Sequence, residues 1–98
     1  MPSRPIPHRP SLEFDRKQAR ALLEAARRGD ADAVARFRAH HPRFRGGGIA
    51  HPALHDAQLV IAREYGVASW PRWKQLVETR LLEARERAAL LGVGRQRG

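Results

Sequence analysis

The chain contains no cysteine in its 98 residues. Disulfides, thiolate metal sites and cysteine nucleophiles are therefore excluded, and the composition fits a reducing, cytoplasmic setting. Aromatic residues make up only 6% of the sequence, so each of Phe14, Phe37, Phe44, Tyr65, Trp70 and Trp73 carries weight. No apolar run approaches the ~18 residues that a transmembrane helix needs, so no membrane span is expected. The opening MPSRPIPHRP is basic but has no apolar stretch, unlike a secretory signal. Lysine is scarce: of 19 basic residues, only Lys17 and Lys74 are not arginine. A chain this short forms one domain with a modest core.

Charge is what the chain has in excess, at +9. A basic field favours nucleic acid, anionic membrane or acidic protein partners. Abundant arginine and alanine also follow from GC-rich coding, so charge alone does not select a partner.

Four prolines in residues 1–10 remove amide donors and fix φ, which predicts an extended basic arm outside the core. Ser11 then occupies an N-cap position, with Glu13 and Asp15 in the first turn. Leu12, Ala19, Leu22, Leu23 and Ala26 recur at three- and four-residue steps, the period of one buried helical face. Gly29 ends this helix, expected over 12–28. Asp30 caps a second helix, with Ala31, Val34 and Phe37 inward, and Pro42 ends it. The glycine triplet within Arg43 to Pro52 predicts a mobile loop. Pro52 fits the first turn of a third helix, whose stripe is Leu54, Ala57, Val60 or Ile61, and Tyr65, closed by Gly66. Ser69 caps a fourth helix, expected over 70–91, with Trp70, Trp73, Leu76, Val77 and Leu81 along one side. No breaker precedes Gly92. Such a helix outruns what the other three can cover, and Glu83 and Arg87, four apart, suit an exposed segment.

Two blocks carry a family resemblance: residues 12–44, with RRGDADAV at Arg27 to Val34, and residues 54–78, with AQLVIAREYG followed by SWPRWK. Together they resemble the helical region that precedes the repeats in bacterial ankyrin-repeat proteins. The first block also resembles a single ankyrin repeat. The resemblance implies a helical scaffold that presents surfaces to other proteins, and no catalysis. The TPLH opening of an ankyrin repeat is absent, and no repeat array follows within this sequence. Repeats bury their faces on neighbours, so these faces must be buried internally, in an oligomer or on a partner.

Several constellations bear on chemistry. Residues 54–80 can be read as a helix-turn-helix, with Arg72, Gln75 and Thr79 on the outward side of the second helix. Arginine pairs bidentately with guanine and glutamine with adenine, although such a row is also ordinary on any solvated helix. Arg36, Arg38, Arg43 and Arg45, with His40 and His41, surround the glycine loop and supply candidate phosphate contacts. That loop is no P-loop, because the Lys-Ser/Thr pair and a preceding strand are missing. His51 and His55 stand four apart, but Pro52 places His51 before the helix, so no metal site or other cofactor is expected. Ser11 and Ser69 read as caps. Glu13, Asp15, Glu24, Glu64 and Glu78 read as surface charges, leaving no catalytic set.

The expected architecture is all-α: a small four-helix domain of two helical hairpins with a long C-terminal helix. Its parts are a disordered basic Pro-rich arm (1–10), a helical domain (11–82), and a helical extension with a basic tail (83–98). Leu22, Leu23, Val34, Phe37, Leu54, Ile61, Trp70, Trp73, Leu76 and Val77 form the expected core. The functional expectation is a non-enzymatic protein-interaction module, an accessory subunit of a larger assembly. It would bind another protein, or itself, through Leu81, Leu82, Leu90 and Leu91, with no small-molecule substrate. The alternative is a nucleic-acid-binding protein using Arg36, Arg38, Arg43, Arg45, Arg72 and Gln75.

Overall fold

The computed structural model describes residues 4–7, 9–45 and 51–96, the last six by their backbone only. The fold is all-α. Four helices succeed one another, α1 (Leu12–Arg27), α2 (Ala31–His40), α3 (Leu54–Glu64) and α4 (Trp70–Gln96), with a 3₁₀ turn at Pro42–Phe44 after α2. No strand occurs among the described residues.

Local chemistry sets the helix ends. Ser11 Oγ accepts the Phe14 amide and Asp30 Oδ2 accepts the Ala33 amide, both at 3.1 Å, so each cap satisfies a donor that the helix cannot. Gly29 and Gly66 take φ values of 79° and 84° after α1 and α3, the left-handed conformation that glycine adopts without strain. At α3 the expected placement of Pro52 is corrected: the N-cap is Ala53, and Pro52 lies before it. Alanine has no side-chain acceptor, and the carboxylate of Asp56 instead reaches back to the Ala53 amide at 2.9 Å, one half of a capping box. At α4, Ser69 Oγ accepts the Arg72 amide at 3.3 Å. This helix runs to Gln96, beyond the expected end at 91. Gly92 and Gly94 weaken a helix by about 1 kcal/mol each relative to alanine but do not block it.

The core forms where α1, α2 and α3 meet and the start of α4 joins them. Leu22, Leu23, Phe37, Ile61, Trp73 and Val77 are buried, together with Ala19, Ala57, Val60 and Tyr65. Val34, Trp70 and Leu76 are only half-buried. Leu54, expected in the core, is exposed at 36% at the first position of α3. Phe44 is buried by the 3₁₀ turn and meets Phe37 edge-on, with centroids 5.5 Å apart.

The arm is also corrected. Arg4 donates its amide to the Glu64 carbonyl at 3.0 Å, Ile6 packs against the core and Pro10 is buried. Arg4 is therefore tied to the end of α3, and Ile6 and Pro10 lie against the body rather than in solvent. The glycine-loop expectation for residues 46–50 lies outside the described residues.

Asp15 links three elements. It is 1% exposed, accepting the Tyr65 hydroxyl at 2.8 Å and the Trp73 indole N–H at 2.9 Å. Tyr65 and Trp73 stack with ring centroids 4.0 Å apart. Trp73→Ala is expected to destabilise the protein by about 3–5 kcal/mol, as large core truncations do. Trp73→Phe keeps most of the packing but leaves one Asp15 oxygen without its donor, a loss of about 1–3 kcal/mol. Urea unfolding midpoints measure both, and a wild-type midpoint for Trp73→Ala would contradict this role for the indole.

Candidate functional site

The charged residues divide into those that lock the fold and those left on the surface. Glu64, expected at the surface, is buried at the end of α3. Arg36 grips it bidentately, Nε to Oε2 at 2.6 Å and Nη2 to Oε1 at 2.7 Å, and Arg4 approaches Oε1 at 3.3 Å. The Glu64 hydrogen bonds outweigh burial and raise the Arg36 pKa. Arg36 is thus a structural cation joining α2 to α3 rather than a free phosphate contact.

Asp56 organises the other end of α3. Its Oδ1 lies 2.8 Å from His41 Nε2, and its Oδ2 accepts from Arg43 Nη2 at 3.2 Å. His41 Nδ1 accepts the Arg43 amide at 3.2 Å. That acceptor role places the proton of the neutral ring on Nε2, which donates to Asp56. Arg43 also lies over the Phe44 ring, 4.6 Å from its centroid, so it too is engaged within the fold. Burial pushes the Asp56 carboxyl up. The Ala53 amide, His41, Arg43 and His55 together overcome this and hold it below its ordinary value of 3.8.

The remaining candidates lie around the turn between α3 and α4. Gly66, Val67 and Ala68 form the shared wall of two open depressions. One, of about 560 Å³, is bordered by Arg72, Gln75, Thr79, Arg80 and Glu83. The other, of about 380 Å³, is bordered by Arg45, Arg63 and His40. The structure therefore places Arg45, Arg72 and Gln75 near one turn and ties Arg36 and Arg43 elsewhere. Arg38 is exposed at the end of α2 and does not border either depression. Arg63 and Arg80 were absent from the expected site. Arg80 follows Arg72, Leu76 and Thr79 at helical spacing and was legible in the sequence, whereas Arg63 arrives only through the packing of α3.

The fourth helix separates from the body after Val77. Every residue from Glu78 to Leu90 is exposed, including Leu81 at 48%, Leu82 at 52% and Leu90 at 78%. The side chain of Leu91 lies outside the described residues. No helix among the described residues is long and apolar enough to cross a membrane. Comparison with protein-family models, with curated proteins and with solved structures gives no match.

The depressed Asp56 pKa has a definite pH consequence. A carboxyl with a lower pKa folded than unfolded stabilises the protein fully above the unfolded value, and that contribution is lost as pH falls through the folded value. Asp56→Asn is therefore expected to be less stable than wild type at neutral pH, with the difference shrinking as pH drops below 3.8. Thermal unfolding of both proteins across this range measures the gap. A pH-independent gap would contradict the assignment.

Proposed function

We propose that this protein is a non-enzymatic helical interaction module that engages another protein, or a second copy of itself, through the part of α4 that projects beyond the body. One observation carries this reading: Leu81, Leu82 and Leu90 are exposed on a helix that continues from the core without interruption. The line Trp73, Val77, Leu81, Ala84 and Ala88 repeats at three- and four-residue steps. It begins as core at Trp73 and Val77 and continues as an uncovered apolar stripe. An apolar face of this kind is stabilised by a partner surface.

The three buried carboxylates are engaged by structural donors, which supports a scaffold rather than a catalyst. The resemblance of residues 12–44 and 54–78 to the helical region of bacterial ankyrin-repeat proteins points the same way. An accessory role in a larger assembly, within the cytoplasm, fits this reading.

The test is a triple substitution, Leu81→Glu, Leu82→Glu and Leu90→Glu, combined with site-specific photo-crosslinking. A crosslinker at Glu78 should capture a partner, or a second copy, in the otherwise wild-type protein and not in the triple variant. The thermal midpoint should remain unchanged, because these leucines contribute little to the core. A large drop in midpoint, or crosslinking that survives the substitutions, would contradict the proposal.

A further inference from the structure

We infer that the turn between α3 and α4 carries a second binding surface, one that takes the phosphate backbone of a nucleic acid. This surface is separate from the leucine stripe and does not rest on it. Arg45 and Arg63 border one depression and Arg72 and Arg80 the other, and the two meet at the Gly66–Ala68 turn. Glu83 is the single carboxylate among the residues that border them. None of the four arginines makes an ion pair among the described residues.

The rest of the molecule sharpens this contrast. Arg4, Arg36 and Arg43 are held by Glu64 and Asp56, whereas the four arginines around this turn share only Glu83 among the bordering residues. Arg63 shows the same excess at atomic scale. Its Nε is buried and has no hydrogen-bond partner, and no carboxylate pairs with its guanidinium among the described residues. Guanidiniums that no carboxylate occupies bind phosphate oxygens well, by charge and by paired N–H donors.

The form of the surface favours a nucleic acid over an acidic protein segment. Both depressions are open, with a wall built from Gly66, Val67 and Ala68. Arginine clusters can also take acidic peptide motifs, but these four cations are divided between two open depressions rather than gathered in one. A polyanion of regularly spaced phosphates needs only dispersed cations that it can span. Gln75 and Thr79, exposed beside Arg72, add neutral donors suited to phosphate and sugar oxygens.

The experiment uses the full chain and fluorescence anisotropy, with a mixed-sequence DNA duplex and a single-stranded RNA of equal length as probes. Titrations are made at about 50 and 200 mM salt, where phosphate contacts show their dependence on counterions. Two variants lose equal charge: Arg45→Ala/Arg72→Ala/Arg80→Ala at the turn, and Arg16→Ala/Arg20→Ala/Arg28→Ala on α1 and its C-cap, whose residues are exposed. Circular dichroism melts establish that both remain folded.

The expected result is wild-type binding to at least one probe that weakens steeply with salt. The turn variant should bind at least tenfold more weakly, with its log–log salt slope reduced by about three, one for each lost contact. The α1 variant should stay close to wild type. Absence of wild-type binding at the lower salt would overturn the proposal. Equal losses in both variants would also overturn it, because they would report overall charge rather than this surface. Binding of fluorescent polyglutamate without binding of either nucleic acid would assign the surface to an acidic protein segment instead. A charge-neutral variant, Leu81→Gln/Leu82→Gln/Leu90→Gln, should bind nucleic acid normally, which keeps this result distinguishable from failure of the protein-interaction reading.

Discussion

Asp15 belongs to the first turn of α1, yet its carboxylate meets a phenol at the end of α3 and an indole at the start of α4. A buried carboxylate loses several kcal/mol of hydration, and this one has no cation in direct contact among the described residues. Two short hydrogen bonds from neutral donors and the partial positive charge of the α1 N-terminus offset that loss. Because the donors come from different elements, the carboxylate is satisfied only when α1, α3 and α4 are all in place. The stacked Tyr65 and Trp73 rings supply apolar contact at the same junction. Burial also pushes the Tyr65 hydroxyl pKa up, with further help from the Asp15 charge, so the phenol remains protonated and able to donate.

Glu64 and Asp56 extend the same logic along α3. Glu64 draws in α2 through Arg36 and the N-terminal segment through Arg4. Asp56 draws in the turn after α2 through His41 and Arg43. The third helix is thus fastened at both ends by polar contacts, with Ala57, Val60 and Ile61 filling the apolar space between. Removing one partner from such a site leaves a buried charge unpaired, which destabilises far more than loss of a surface ion pair.

The internal locks also determine what is left outside. Three carboxylates are withdrawn from the surface, and the arginines that do not pair with them set its character. Around the α3–α4 turn this leaves Arg45, Arg63, Arg72 and Arg80 without an ion pair among the described residues. Farther along α4 the body ends at Val77, and the line of apolar side chains continues into solvent. One helix therefore serves as core, as the wall of a basic depression and as an uncovered apolar stripe at successive positions along its length.

Much of the local architecture was legible in the sequence. Ser11, Asp30 and Ser69 cap helices, and Gly29 and Gly66 end them, because these effects act within a few residues. The 3.6-residue period of Leu22, Leu23, Phe37, Ile61, Trp73 and Val77 marked the core for the same reason. The buried roles of Asp15, Asp56 and Glu64 were not legible. Periodicity identifies a carboxylate only as polar, and its donors lie 50 and 58 residues away for Asp15 and 28 for Arg36 and Glu64. The docking of Arg4 and Ile6 was hidden likewise, since proline predicts an extended chain but not the surface it follows. By itself the sequence determined the helices, their ends and most of the apolar core, because each depends on neighbouring residues. The tertiary structure decided which charges became internal locks and which remained as surface, because burial and pairing exist only once distant helices meet.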